Sequence, residues 1–140
     1  MINKTLSYQS LNTDLGKLLL RLVLGGLMAY HGYQKFAAYD QILPMFTDII
    51  GIGTKLSFNL VIFAELVCGL LVAIGLLTRF AIIPIFITMC VAFFVAHAAD
   101  PFQNKELPFT FLLLAIVVFV LGSGRYSVDA LLFRSKNREI

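Results

Sequence analysis

Residues 56–77 read LSFNLVIFAELVCGLLVAIGLL, an apolar run with a single acidic residue, Glu65, near its centre. An α-helix rises about 1.5 Å per residue, so a run of this length crosses the roughly 30 Å hydrocarbon core of a bilayer. A transmembrane strand needs only about 9–11 residues, and a few long runs do not make the many short strands of a barrel. The stretch therefore predicts a transmembrane α-helix.

Three further apolar runs share this character, at residues 16–36, 80–98 and 107–122. Hydrophobic residues make up 59% of the 140-residue chain and charged residues 14%, and the mean hydropathy is +0.88. Soluble chains carry about 25% charged residues, and a core of this size cannot hide so much apolar surface. We therefore predict an all-α, integral membrane four-helix bundle that forms a single domain over residues 1–140.

The connections between these runs also have a pattern. Apolar residues near Asp40 and Asp48 recur at roughly helical spacing, which predicts a short amphipathic helix in the membrane interface, between the first and second spans. Thr78 and Arg79 alone separate the second and third runs, which predicts a tight turn between antiparallel neighbours. The apolar residues of the short helix are Ile42, Leu43, Met45, Phe46, Ile49 and Ile50.

The distribution of lysine and arginine predicts the orientation. Cytoplasmic segments carry the excess of basic residues, and the side with both termini holds most of them here. Both termini are therefore predicted to be cytoplasmic. The basic residues of that side are Lys4, Lys17, Arg21, Arg79, Arg125, Arg134, Lys136 and Arg138, and those of the other side are Lys35, Lys55 and Lys105.

Glu65 needs an explanation, because a charged side chain at the centre of a membrane helix costs about 2.5–3.5 kcal/mol on insertion scales. We expect Glu65 to turn inward, and Gly69, one turn away on the same face, to let a neighbouring helix approach closely. Arg21 lies about 7–8 Å from the midplane on the first span, within reach of Glu65. This pair either fixes the helix register or forms part of a working site. One face of the first span carries Arg21, Gly25, Met28, Gly32 and Lys35, with His31 at its edge.

The half of the bundle away from the termini is predicted to gather the other polar side chains. His97 lies near the outer end of the third span, and Glu106 precedes the fourth. Each also has a simpler interpretation, as a packing histidine or a boundary charge. The candidate ligand-pocket residues are Arg21, His31, Lys35, Glu65, His97 and Glu106.

Several kinds of site find little support in the sequence. The net charge of +3 comes from basic residues at helix ends, with no basic stripe bearing interleaved aromatics, so no nucleic-acid partner is expected. Cys68 and Cys90 have no CxxC spacing, and two histidines without a third ligand do not predict a metal site. No catalytic residue and no cofactor motif is evident, although a quinone ring would fit among the Phe-rich third and fourth spans.

Three ordered segments resemble those of the DoxX family and together cover nearly the whole chain. The first runs from Leu20-Arg21-Leu22 through Gly25 and His31-Gly32 to Lys35. The second, Glu65-Leu66 with Gly69 and then 75–79, is similar to the family's E-L-x-x-G … G-L-x-T-R stretch. The third, 122–129, resembles its G-x-G-x-x-S-x-D close. The resemblance assigns a structural role to Gly25, Gly32, Gly69, Thr78, Arg79, Gly124, Ser127 and Asp129.

This resemblance implies a four-helix protein of the bacterial inner membrane, and it leaves the chemistry open. Some DoxX-like proteins resemble the small membrane subunit of thiosulfate–quinone oxidoreductases, and others are associated with thiol-linked assemblies. Our first hypothesis is therefore a small subunit or accessory protein of a quinone- or thiol-linked redox assembly, with a membrane or peripheral redox protein as partner. The alternatives are a non-enzymatic structural or partner-binding protein, and a proton-coupled exporter that works as a homo-oligomer.

Overall fold

The computed structural model of the chain describes residues 7–134, and within that range every regular element is a helix. The all-α membrane bundle predicted from the sequence is confirmed in class. The orientation prediction also used Lys4, Lys136 and Arg138, which lie outside the described residues. The helices are α1 (Thr13–Ala37), α2 (Tyr39–Ile42), α3 (Thr54–Ile74), α4 (Thr78–Ala96), α5 (Phe102–Leu121) and α6 (Val128–Phe133).

Of the helices described, three are long and apolar enough to cross a membrane, namely α3, α4 and α5. α1 is the longest at 25 residues, but Lys17, Arg21 and Lys35 lower its apolar character, so the count of four spans is not confirmed by length and composition. The outward side of α1 is nevertheless apolar, with exposed Leu19 and Leu22. Its polar residues are therefore distributed unevenly around the helix.

Glycines set the contact between α1 and α3. A Cβ atom built on Gly25 would lie 2.5 Å from the backbone N of Ala73, and one built on Gly69 would lie 2.7 Å from the N of Ala29. Gly32 meets the backbone of α3 in the same way beside Glu65. Small residues let transmembrane helices approach to backbone contact, so the close helix approach expected at Gly69 is present.

The four long helices share one apolar core. Its residues interlock between α1, α3, α4 and α5, while the outward faces carry many exposed Leu, Ile, Val and Phe side chains of the kind that lipid covers. The core consists of Leu24, Met28, Cys68, Val72, Ala81, Ile82, Ile85, Met89, Phe111, Leu112, Ala115 and Val118.

Two predicted connections differ from the structure. The turn between the second and third spans is not Thr78-Arg79, because both residues belong to the first turn of α4. Gly75 and Leu77, at φ 76° and 48°, make the reversal instead. The short helix after α1 ends in a 3₁₀ turn at Met45, earlier than the apolar spacing suggested. Asp48 accepts hydrogen bonds from backbone N–H groups as far as Gly53, which folds the following residues into a loop.

Candidate functional site

The buried polar residues form two clusters at opposite ends of the bundle. The first, which we call the termini-end cluster, surrounds the C-terminus of α3. There the N–H of Leu76 bonds to the carbonyl of Leu71, and that of Gly75 to the carbonyl of Val72. This pairing closes the helix around a left-handed glycine. Carbonyls in the last turn of a helix lack intrahelical partners, so they need another donor.

Arg21 supplies that donor. It is 1% exposed, and its Nη1 atom donates to the carbonyl oxygen of Ala73 at 2.9 Å and to that of Val72 at 3.4 Å. Its Nη2 atom donates to the carbonyl of Tyr126, which ties the segment before α6 to α1. The site also suits a cation because the C-terminal end of a helix carries partial negative charge. Gly75 leaves the space that the guanidinium occupies.

Asp129 completes the cluster by capping α4. Its two carboxylate oxygens accept from the N–H groups of Leu77, at 2.7 Å, and Thr78, at 3.1 Å, while its own N–H donates to the carbonyl of Gly75. A carboxylate at a helix N-terminus pairs orphan donors and complements the dipole. Ser127 caps α6 by accepting from the N–H of Ala130. The cluster therefore fixes the α3–α4 turn and α6 together.

The remaining residues of the family segments hold the same end of the bundle. Arg79 donates from its Nε atom to the carbonyl of Phe119 on α5. Gly124, at φ 77°, lies where the chain passes close to Lys17. The hydroxyl of Ser127 donates to the carbonyl of Gly124 at 2.6 Å.

The predicted contact between Arg21 and Glu65 is absent, which corrects the sequence interpretation. Arg21 bends toward the termini end, where its guanidinium donates to the carbonyls of Ala73 and Tyr126, whereas Glu65 is paired from the opposite direction. Arg21 is accordingly outside the ligand pocket in which the sequence interpretation placed it.

Glu65 belongs to the second group of polar residues, which we call the cavity-end cluster. It is 5% exposed and lies within a turn of π-helix, Phe63–Val67, in which the N–H of Cys68 bonds to the carbonyl of Phe63. A second π-helical turn, Ala92–Ala96, ends α4. Such turns are rare and are frequent at functional sites. The sequence pattern did not predict these π-helical turns, because one inserted residue barely alters an all-apolar run.

Lys35 is the partner of Glu65. Its Nζ atom donates to the Oε2 atom at 2.5 Å, and the Lys35 side chain is 30% exposed while that of Glu65 is 7% exposed. The sequence interpretation treated Lys35 chiefly as a boundary charge. A single signal could have identified the pair: Lys35 lies on the same face of α1 as Gly25 and Gly32, the face that packs on α3.

A cavity of about 400 Å³ lies beside this ion pair, and all four long helices line it. This volume is within the range of small-molecule sites, about 300–1,000 Å³, which are mostly apolar with a few placed polar groups. Here the polar groups are His31, Lys35, Ser57, Glu65, Thr88 and His97. The structure thus brings four predicted pocket residues, His31, Lys35, Glu65 and His97, to one cavity.

The cavity contains polar groups with no protein partner. Ser57 is 4% exposed and lines the cavity, and its hydroxyl has no hydrogen-bond partner within residues 7–134. The half-buried imidazole of His31 stacks edge-on with the ring of Phe111, at 5.9 Å between centroids, and likewise has no hydrogen bond there. Both groups line the cavity and are therefore available to bond a ligand or water there. The enclosed side-chain atoms that lack a partner among the described residues are Arg21 Nε and Thr78 Oγ1, at the termini end.

His97 and Glu106 are more loosely connected to the cavity. His97 lines it, but its Nδ1 atom is 2.7 Å from the Oδ2 atom of Asp100, and both side chains are about 40% exposed. Glu106 was predicted to line the pocket, and the structure places it outside. It is an exposed residue in the first turns of α5, because that helix begins at Phe102, earlier than the apolar run suggested.

Cysteine and metal chemistry have no assembled site in the part of the chain that the structure describes. Cys68 is buried in the core, Cys90 packs against that core, and both are free thiols. No group of three His, Cys, Asp or Glu side chains is placed to hold a metal ion within residues 7–134. The polar chemistry of the cavity therefore rests on the ion pair, the two histidines and the hydroxyls.

The fold and cavity define a class, the small helical membrane proteins with a polar pocket between their spans. The chain belongs to the DoxX family, whose model matches residues 16–98. It is similar to the Bacillus subtilis protein named "Putative oxidoreductase CatD", with 29% identity over 88% of this chain and 91% of that one. It is also similar to an uncharacterized membrane protein of Mycobacterium tuberculosis, with 34% identity over 79% and 77% of the two chains.

A third relative, an uncharacterized protein of Haemophilus influenzae, is 24% identical over 92% of this chain and 91% of its own. No solved structure matches the chain. The resemblance inferred from the three sequence segments is thereby confirmed at the level of the family.

Proposed function

We propose that this protein is a small subunit or accessory protein of a membrane redox assembly, and that its cavity binds a quinone. The observation that carries the proposal is the ion pair of Lys35 and Glu65 in the wall of a mainly apolar cavity of about 400 Å³. The name of the Bacillus subtilis relative, an oxidoreductase, supports the redox association. The protein belongs in a bacterial inner membrane, where α1 is a fourth span and both termini are cytoplasmic.

The chemistry of the cavity suits a quinone. Its apolar walls accommodate the ring, and the carbonyl oxygens of the ring accept hydrogen bonds from Lys35, His31 or Ser57. Quinone reduction takes up electrons and protons together. Glu65, hydrogen-bonded to Lys35, is placed to exchange a proton with a bound ring. In this proposal the electrons come from the redox partner in the assembly.

Titration of the purified protein with a quinone analogue tests this proposal. We expect saturable binding to the wild type, and at least about tenfold weaker binding to Glu65→Gln, equivalent to about 1.4 kcal/mol. Glu106→Gln is the matched control, since Glu106 is exposed and outside the cavity. Lys55→Gln, at an exposed lysine, is likewise the matched control for Lys35→Gln.

The outcomes separate the hypotheses. Equal binding by Glu65→Gln and Glu106→Gln contradicts the quinone site. No binding by the wild type, together with a stable partner captured from native membranes, favours a non-enzymatic partner-binding protein. Proton-driven substrate uptake in liposomes that is lost in Glu65→Gln favours an exporter. Capture of a redox protein from native membranes, with quinone binding intact, supports the proposed assembly.

A further inference from the structure

We infer that the cavity takes its ligand sideways from the bilayer: a chain-bearing, membrane-resident quinone whose ring reaches the cavity-end cluster while its chain leaves between α3 and α4. This inference rests on the proposed function for the identity of the ring. The direction of entry rests on the shape of the cavity and on the residues around its openings.

α3 and α4 diverge toward the cavity end of the bundle. They meet at the Gly75–Leu77 turn and pack together along Cys68–Ile74, but the cavity separates them toward the opposite end. Leu60 on α3 and Ile87 on α4 line the cavity and are also 47% and 55% exposed. Ile50 and Leu107 are also cavity residues and about half exposed, but they lie in the loop after α2 and near the start of α5. Leu60 and Ile87 lie well inside the spans, so the opening beside them faces the bilayer. This opening is flanked by apolar side chains on the outward face of helices apolar enough to span a membrane.

An apolar loop forms a cover at the aqueous end of the cavity. The loop after α2 places Phe46, Ile49 and Ile50 in the cavity wall. Asp48 holds this loop through hydrogen bonds from three backbone N–H groups, and the ring of Phe46 packs on that of Phe58, at 4.9 Å between centroids. The cover is partial, since Ile49 and Ile50 are 39% and 47% exposed. A ligand entering from water has to pass this apolar loop, whereas one already in the membrane does not.

The polar groups of the cavity lie at different depths along the bundle. Ser57 lines the cavity from the first turn of α3, and on α1 His31 lies four residues before Lys35. Each turn of helix advances about 5.4 Å, so the cavity is polar over more than one turn of depth. An amphiphile with a hydrogen-bonding ring and an apolar chain matches this distribution, since its chain fits the apolar opening.

The absence of tryptophan from the sequence allows a direct test. In Val61→Trp, a single tryptophan reports on the cavity wall of α3. We expect lipids brominated on their acyl chains to quench it strongly, and aqueous iodide to quench it weakly. Leu70→Trp, exposed on the same helix, is the lipid-facing control. Phe58→Trp, at a fully buried aromatic position, is the control shielded from both quenchers.

A kinetic arm tests passage through the opening. Ile87→Trp narrows it, and Ile83→Trp makes the same change at an exposed position of α4 outside the cavity. We expect Ile87→Trp to slow both association and dissociation of a long-chain quinone analogue in nanodiscs, by about tenfold. Ile83→Trp should match the wild type.

Quinone binding with iodide quenching of Val61→Trp, without bromolipid quenching, overturns lateral entry and leaves the quinone site in place. Bromolipid quenching without any quinone binding overturns the ligand and, with it, the inferred occupant. Unchanged kinetics in Ile87→Trp, with faster binding after removal of the cover in Ile49→Ala and Ile50→Ala, assigns entry to the aqueous end.

Discussion

Arg21 and Glu65 are both buried ionisable residues of the bundle, and their surroundings differ. Arg21 donates to the carbonyl oxygens of Val72, Ala73 and Tyr126 at the termini end. Glu65 has one charged partner, Lys35, and faces a cavity. A charge whose partners are backbone groups of three segments holds those segments in place. A charge with one movable side-chain partner beside empty space can exchange that partner for a ligand.

The two clusters therefore have different roles: one stabilises the fold, and the other is available to bind a ligand. The termini-end cluster pairs the exposed carbonyls and N–H groups at the α3–α4 turn, which lipid cannot satisfy. Within residues 7–134, Arg21 Nε and Thr78 Oγ1 also lack a partner at that end, but they are enclosed by protein. In the cavity-end cluster, Ser57 and His31 line the cavity, where a ligand can reach them. Substitutions at the first should mainly change the free energy of unfolding, and substitutions at the second should mainly change ligand binding.

Arg21→Met is expected to have the largest effect on stability. It removes the donors to backbone carbonyls in the last turn of α3 and before α6, and each buried unsatisfied group costs about 1–3 kcal/mol. We expect a loss of about 3 kcal/mol or more in detergent unfolding, with little folded protein recovered. Arg134→Met, at an exposed arginine, is the control. Equal unfolding of the two variants would show that the guanidinium does not hold this turn.

Gly32→Ala tests the contact that aligns Lys35 with Glu65. Its new Cβ atom would collide with the backbone of Leu66, so α1 must move away from α3. Overpacking of this kind costs about 1–3 kcal/mol. Gly26→Ala is the matched control, because no atom lies within 4 Å of the added Cβ there. Thermal unfolding of both variants measures the effect, and a larger loss in Gly26→Ala would contradict the observed packing.

Asp129→Ala should have an intermediate effect that is confined to the termini end. It removes the acceptor for the N–H groups of Leu77 and Thr78, and loss of a helix cap costs about 0.5–2 kcal/mol. Hydrogen exchange should show faster exchange at the start of α4 and unchanged exchange around the π-helical turn at Glu65. Equal acceleration at both places would mean that the two clusters are coupled.

His97→Gln should have the smallest effect on stability. The pair with Asp100 is about 40% exposed on both sides, and exposed ion pairs contribute about 0–1 kcal/mol. A double-mutant cycle with Asp100→Asn measures this coupling energy in thermal unfolding. A coupling as large as the loss in Arg21→Met would place His97 among the groups that hold the fold.

The sequence was sufficient for the helices, for the face of α1 that turns inward and for the burial of Glu65, since apolar runs and helical spacing depend only on local order. The sequence did not predict which groups the Arg21 side chain contacts. The predicted second span ran to Leu77, which left the carbonyl of Ala73 inside a helix and already paired. The helix in fact ends at Ile74, and the carbonyl of Ala73 accepts a hydrogen bond from the guanidinium.

The composition of the cavity was harder to predict than its existence. His31, Lys35, Glu65 and His97 were expected to converge because ionisable groups avoid lipid, and they do. Ser57 was not predicted as a cavity residue, because a single serine within an apolar run gives no signal of a polar site in the sequence. Only the structure shows that its hydroxyl lacks a partner among the described residues. The prediction that Glu106 lines the pocket was wrong. The first residues of α5 are polar, so the apolar run did not show that the helix begins before Glu106. Whether these residues bind a ligand stays a prediction.

The division of roles between the two buried charges can be tested by the thermal shift that a long-chain quinone analogue produces in Glu65→Gln. A ligand at about 100 times its dissociation constant stabilises the folded state by about 2.7 kcal/mol. We predict that Glu65→Gln keeps a melting temperature near that of the wild type without ligand and loses the shift, while Glu106→Gln keeps both. A Glu65→Gln protein that unfolds as readily as Arg21→Met, or that retains the full shift, would contradict the assignment.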